Sequence, residues 1–145
     1  MPFLYSLAVS VAKAITPLIA KSDKTKAFVA GRRALWTQLK SISQNKKVVW
    51  MHCASLGEYE QGLPVLTALK NNHPEHFYLV TFFSPSGYQV RKNQGVANLV
   101  SYLPWDTKAD VKRFIAMVNP IMALLVKYEF WPNLIRELHR KEVPM

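Results

Sequence analysis

The sequence predicts an α/β protein with a doubly wound parallel sheet, preceded by two helices of different character. Three observations predict it. From residue 47 onward, apolar β-branched runs alternate with helical patterns, so each strand reaches the next by a right-handed helical crossover. The 145 residues suffice for one domain with its own core. The one break in composition, Ser41-Ile42-Ser43-Gln44-Asn45, separates a basic helical pattern from the first strand and divides the chain into residues 1–46 and 47–145.

Residues 2–20 carry a single charge, Lys13, and their polar side chains Ser6, Ser10 and Lys13 recur at steps of four and three, which puts them on one helical stripe. The other faces are apolar, with Phe3, Leu4, Leu7, Val11, Ile15 and Leu18. Such a helix is about 28 Å long at 1.5 Å per residue, close to the thickness of a bilayer core, yet its polar stripe and Pro17 suit a helix lying in one leaflet equally well. The charges follow the apolar run instead of preceding it, which argues against a secretory signal and puts the following domain on the cytoplasmic side.

Residues 24–39 form a basic amphipathic pattern with Phe28, Leu35, Trp36 and Leu39 on one side and Lys24, Arg32 and Arg33 around them. Through Lys47 there are nine Lys and Arg against one Asp, so +8 of the net +10 belongs to this first third. A concentrated cationic patch of this kind fits an anionic lipid surface, with Trp36 at headgroup depth. Nucleic acid is disfavoured, because no helix-turn-helix, zinc-finger or RNA-binding aromatic signature accompanies the charges.

In the body, strands are expected over 47–53, 76–83, 96–103 and 121–126. Helices are expected over 58–69, where Leu63, Leu66 and Leu69 share a face, over 86–93, over 106–118 with Asp106 or Thr107 as the cap, and from Trp131 or Pro132 onward. The final Lys141-Glu142-Val143-Pro144-Met145 looks like a helix end followed by the start of another strand, as expected for one half of a larger protein. The lone Cys53 excludes an intrachain disulfide, and no Cys/His cluster has zinc-like spacing.

In a parallel sheet the loops after the strands share one edge, so residues 54–58, 84–87, 104–106 and 127–133 face a common cleft. Neither a dinucleotide nor a P-loop glycine pattern is present. Glu58 begins a helix, where a charged carboxylate is favoured; that suits a base or an anion role, and equally an ordinary first-turn Glu. Glu60, two residues on, does not share its face. Ser84-Pro85-Ser86-Gly87 offers hydroxyls and backbone N–H groups for a phosphate or a sugar hydroxyl, or a plain helix cap. The run Lys127-Tyr128-Glu129-Phe130-Trp131-Pro132-Asn133 sets two charges among three aromatics at a strand end.

Four segments in this order, Trp50-Met51-His52-Cys53-Ala54-Ser55-Leu56-Gly57-Glu58, Thr81-Phe82-Phe83-Ser84-Pro85-Ser86-Gly87, Tyr102-Leu103-Pro104-Trp105-Asp106 and Tyr128-Glu129-Phe130-Trp131-Pro132-Asn133, resemble the N-terminal domain of the lipid A 3-deoxy-D-manno-octulosonic acid (Kdo) transferases. The resemblance implies a GT-B glycosyltransferase with two Rossmann-like halves, this chain being the acceptor-binding one. It implies CMP-Kdo as donor, held mainly by a C-terminal half absent here, a lipid A precursor as acceptor, no metal or other cofactor, and a location on the cytoplasmic face of the bacterial inner membrane. Glu58 matches the family's general base and Glu129 a second carboxylate near the cleft. Ser55, Gly57, Ser86 and Gly87 match positions that line it. With Ser84, Lys127, Trp131 and Asn133 they make up the expected acceptor-binding set. Many members carry an acidic residue where Lys127 stands, so that carboxylate's role does not transfer.

Overall fold

The computed structural model describes residues 2–145, and the side chains of Pro2 and Phe3 lie outside what is described, Phe3 being one of the residues expected at a membrane. Two N-terminal helices, α1 (Pro2–Ile19) and α2 (Asp23–Leu39), precede β1 (Val48–Cys53), α3 (Leu56–Asn72), β2 (Phe77–Phe82), α4 (Pro85–Arg91), β3 (Leu99–Tyr102), α5 (Lys108–Val118), β4 (Pro120–Leu125) and α6 (Pro132–Arg140). The sheet is parallel throughout, with strand order β3-β2-β1-β4. Strand order therefore reverses between β1 and β4, which makes the crevice beyond their C-terminal ends the switch point where such sheets take ligands.

β1 is buried along its whole length because both sheet faces are covered. Val48 and Trp50 point to one face with Leu79 and Ala123, where α2, α5 and α6 supply Leu35, Leu39, Phe114, Ile115, Leu134 and Leu138. Val49, Met51 and Cys53 point to the other face, under Tyr59 and Leu66 of α3. Both Leu35 and Leu39 of α2, with Ile42 beyond it, belong to the same core as the central strand. The apolar side of this basic helix therefore faces protein.

Two expected boundaries shift for local reasons. The third strand begins at Leu99 instead of 96, because the Asn98 side chain takes a ladder position itself: its Oδ1 accepts the Tyr78 N–H at 2.9 Å while its own N–H donates to Tyr78 O at 2.8 Å. The helix expected from 106 begins at Lys108, since Thr107 is its cap, accepting the Asp110 N–H at 3.1 Å. Asp106 caps a different helix. Its two oxygens accept the N–H groups of Asn133 and Leu134 at 3.1 and 2.9 Å, at the start of α6. At the other end, Ala123 N–H donates to Pro144 O at 2.9 Å, so the last residues run alongside β4 as a further extended segment.

Tyr5 of α1 donates its hydroxyl to Asp106 at 2.8 Å, the Asn133 amide donates to Ser6 Oγ at 3.2 Å, and Lys13 pairs with Asp110 at 2.5 Å. The polar side of α1 is thus turned toward the body. Its apolar side is left outward, with Leu4 66% and Leu18 81% exposed and Leu7, Val11, Ile15 and Ile19 also exposed. Among the described residues no helix is long and apolar enough to cross a membrane.

Gly31 is where α2 meets β3. A Cβ there would run into the ring of Tyr102, which is fully buried and has no room to withdraw. Gly31→Ala is expected to cost about 1–3 kcal/mol by overpacking; a urea midpoint equal to wild type would remove this contact from the account of how α2 docks.

Candidate active site at the switch point

The loops after β1 and β2 are joined by backbone hydrogen bonds from Phe83 N–H to Cys53 O at 3.3 Å and from Ser84 N–H to Ala54 O at 2.9 Å. Gly87 completes this junction: a Cβ on it would collide with Phe82 and lie 3.2 Å from the Leu56 backbone nitrogen. Gly87 was expected in the acceptor-binding set, and it is buried. Its role is close packing of α4 against the start of α3, which no side chain larger than hydrogen permits.

Glu58 sits in the first turn of α3, half-buried, and its Oε2 accepts the Ser55 N–H at 2.9 Å. This is the helix-start function that any Glu at the third helical position can perform. Its other oxygen makes no hydrogen bond among the described residues. Ser55 and Gly57 stand beside it at the rim. Glu60 points elsewhere and pairs with Arg91 of α4.

Glu129 follows β4 and is only 9% exposed. The turn that brings it back to the sheet has Lys127 in the left-handed region at φ 60°, unusual for a residue with a side chain, with the Glu129 N–H donating to Lys127 O at 3.0 Å. His52 Nε2 lies 2.9 Å and Trp131 Nε1 2.6 Å from the same oxygen, Oε2. On its other side, His52 Nδ1 lies 2.9 Å from Thr81 Oγ1 and 3.0 Å from Thr81 O, and Trp50 Nε1 donates to Thr81 Oγ1 at 2.8 Å. The donors balance in one direction: Trp50 N–H to Thr81 Oγ1, the Thr81 hydroxyl to Nδ1, and Nε2–H to the Glu129 carboxylate. A charged His52 would keep the last bond and donate from Nδ1 to Thr81 O instead, so Nε2 is the donor to Glu129 in either case.

Burial pushes the Glu129 carboxyl up, but the hydrogen bond and charge of His52, with the Trp131 N–H, outweigh it and hold the group below the usual glutamate range. Its second oxygen is without a hydrogen bond among the described residues. Cys53 lies between the two acidic groups: burial, then Glu58, then Glu129, push its thiol up to about 12. It is an inert core residue at neutral pH.

The remaining expected site residues divide. Ser84 and Ser86, with Lys24 of α2, line a cavity of about 450 Å³ beside the switch point. Lys127 and Tyr128 are exposed at the rim, Tyr128 at 84%. Asn133 is buried and is a correction: its side chain donates to Asp106 O at 2.5 Å and to Ser6 Oγ, so it fastens α6 and α1. Trp131 is half-buried, stacked on Phe83 at 5.1 Å between ring centroids, and serves Glu129. Of the residues expected at a membrane, Leu4, Leu7, Val11, Lys24 and Arg33 are exposed. Arg32 is a second correction, 5% exposed beneath α2, and Trp36 is half-buried with Arg113 4.2 Å above its ring.

Sequence reasoning passed over His52, Thr81 and Trp50. The available signal was His52 itself, a lone imidazole inside an otherwise apolar strand pattern. Burial also raises Asp106, against the pull of the Asn133, Tyr5 and Leu134 hydrogen bonds, and pushes the Tyr5 phenol up, with Asp106 adding to the effect. The one group of three possible metal ligands among the described residues, His73, Glu75 and His76, lies on the surface before β2, at the opposite edge from the cleft.

These features define a Rossmann-like α/β domain whose switch-point crevice is flanked by two carboxylates from neighbouring strands. The chain belongs to the 3-deoxy-D-manno-octulosonic-acid transferase (kdotransferase) family, whose model matches residues 29–145. It is 38% identical over 96 residues to the 3-deoxy-D-manno-octulosonic acid transferase of Aquifex aeolicus, covering 66% of this chain and 26% of that protein. It is 32% identical over 97 residues to the Haemophilus influenzae enzyme of the same name, covering 66% and 23%. A bifunctional glycosyltransferase/methyltransferase of Fusobacterium nucleatum is 27% identical over 122 residues, 82% of this chain and 18% of that protein. The aligned stretch spans about a quarter of the length of the first two relatives.

The depressed Glu129 carboxyl has a pH signature. A group held below its unfolded value contributes stability that is complete above that value, about 4.3, and is lost as pH falls through the lower folded one. The stability difference between wild type and Glu129→Gln is therefore expected to be largest near neutral pH and to shrink below about pH 4.3; a penalty in urea midpoint that stays constant down to the acid transition would contradict an ionised Glu129 held by the His52 and Trp131 hydrogen bonds.

Proposed function

We propose that this chain is the acceptor-binding half of an enzyme that transfers Kdo from CMP-Kdo to a lipid A precursor at the cytoplasmic face of the bacterial inner membrane. One observation carries the reading: Glu58 after β1, Glu129 after β4 and the inverted helix α1 occupy the same edge of the sheet. An embedded anionic acceptor must reach a base at the membrane surface, and here α1 is docked on Asp106, Asp110 and Asn133 at that edge with its apolar face turned outward.

In this reading Glu58 Oε1 takes the proton from an acceptor hydroxyl as that oxygen attacks the anomeric carbon of Kdo. The new glycosidic bond forms on the face opposite the departing CMP, which leaves with the electrons of the broken bond, so configuration inverts. Glu129, immobilised by His52 and Trp131, uses its second oxygen to orient the acceptor. Ser84 and Ser86 contact its polar groups from the neighbouring cavity, and Lys127 at the rim faces an acceptor phosphate. No metal enters this scheme. The donor nucleotide is bound by a further domain outside the chain, without which the chain is inactive.

A second reading has one observation in its favour. Glu58 already has a structural task, bonding the Ser55 N–H, as it would in a non-catalytic membrane-surface module of the same fold. Gln retains an oxygen that accepts that bond and loses only the basicity. In the full-length enzyme, Glu58→Gln is expected to lower the rate of Kdo transfer by about 10²–10⁴ with the unfolding midpoint unchanged; full activity of the variant would remove the base assignment, and absence of transfer by the wild-type protein would favour the module reading.

The membrane side has its own test. Asn at both Leu7 and Leu18 removes apolar surface without touching the bonds that dock α1. It is expected to weaken co-sedimentation with anionic vesicles by about tenfold or more, at roughly 1.5 kcal/mol or more per buried leucine. Vesicle binding that ignores the double substitution would show that another surface faces the lipid.

A further inference from the structure

A cavity of about 370 Å³ opens between the second half of α1, α2 and the loop from β3 to α5, with Lys13, Arg32, Arg33, Trp36, Trp105 and Asp110 in its lining. Lys13 already pairs with Asp110. Neither Arg32 nor Arg33 has a carboxylate partner among the described residues.

Arg32 is the unusual member. Its Nη2 donates to Phe83 O at 3.3 Å, while Nε and Nη1 are buried with no hydrogen-bond partner. The guanidinium carbon lies 3.6 Å from the ring centroid of Phe28, 4.7 Å from that of Phe83 and 5.4 Å from those of Tyr102 and Trp105. Aromatic faces attract a cation but give its N–H donors no acceptor in the ring plane. Burial lowers the pKa to about 9 against a favourable interaction with Tyr102, so the group remains cationic at neutral pH. A buried charge without a counter-ion is costly to keep, so an anion that supplied the missing partner would recover part of that cost.

We propose that this cavity binds a phosphomonoester dianion through Arg32, Arg33 and Lys13. Three cations against a single carboxylate leave the lining with the net charge a dianion balances. A guanidinium fork matches two phosphate oxygens, and binding draws Arg32 toward the cavity it already lines. Trp36 and Trp105 form apolar walls for whatever the phosphate is esterified to. A soluble sugar phosphate and a lipid headgroup carry the same chemistry. The site rests on α1 and α2 and not on Glu58 or Glu129, so it stands or falls separately from Kdo transfer.

The test is isothermal titration of the 145-residue chain with inorganic phosphate, with glucose 1-phosphate, and with phosphatidylcholine vesicles carrying either phosphatidic acid or, at equal surface charge, the diester phosphatidylglycerol. Saturable binding of at least one monoester probe is expected, weakened about tenfold or more by Lys13→Gln with Arg33→Gln and by Arg32→Lys, which keeps the charge and loses the fork. Circular dichroism of the Lys13 and Arg33 variant should match wild type, since both residues are exposed and the Tyr5 and Ser6 bonds still hold α1 once the Lys13–Asp110 pair is lost. Lys46→Gln with Lys47→Gln, before β1 at the far edge, should leave binding unchanged. Preference for the soluble probes assigns a soluble ligand, and preference for phosphatidic acid over the diester assigns a headgroup; either supports the site. Absence of binding to every probe, or binding that the cavity variants leave intact or that the Lys46 and Lys47 variant weakens equally, would overturn it.

Discussion

The arrangement of the cleft depends on one buried hydrogen bond, from His52 on the central strand to Glu129 beyond β4. It crosses the point where strand order reverses, where the Val126 N–H to His52 O bond at 3.0 Å carries the backbone pairing one residue past the end of β4. Through it the turn at Lys127 is folded back over the sheet, Trp131 is brought to the same carboxylate, and the start of α6 is set. Trp131 in turn stacks on Phe83, whose carbonyl receives Arg32. A continuous path of contacts thus runs from Trp50 and Thr81 in the core to α2 at the periphery. Trp50, Thr81, His52 and Trp131 all have hydrogen-bond partners along that path, the condition under which a buried network makes a structure rigid, while Glu129 Oε1 and two nitrogens of Arg32 are left open.

Two carboxylates reach the crevice by different physical routes. Glu58 is local: three residues separate it from the backbone N–H it accepts, and helix geometry alone delivers it. Glu129 is tertiary, held by an imidazole 77 residues away and by an indole from its own turn. The two groups differ accordingly, Glu58 half-exposed in the first turn of α3 and Glu129 buried beneath its turn. Cys53 remains a thiol, raised first by burial and then by the charges of Glu58 and Glu129.

The N-terminal helix is amphipathic in the reverse of the usual sense for a packed helix. Tyr5, Ser6 and Lys13 face the protein, and leucines face outward. In water such a face is a cost, and it becomes favourable when lipid covers it. Asp106 makes the inversion possible, because it serves the N–H groups of α6 and the hydroxyl of Tyr5 together. The helix at the surface and the helix beside the cleft therefore share one anchor.

Periodicity and capping residues determined the element order, the parallel sheet and the position of Glu58, because all of these follow from neighbours a few residues apart. The four strands and the helices between them were readable for that reason, and the polar stripe of α1 was visible as a stripe. Tertiary structure alone decided which way that stripe faces, since Asp106, Asp110 and Asn133 lie about a hundred residues downstream. It also decided that Arg32 is buried in an aromatic cage while Arg33, next to it, is exposed, that Gly87 and Asn133 hold helices in place, and that His52 belongs to the site. Each of those outcomes depends on which distant side chain closes a contact, and one-dimensional spacing carries no information about that.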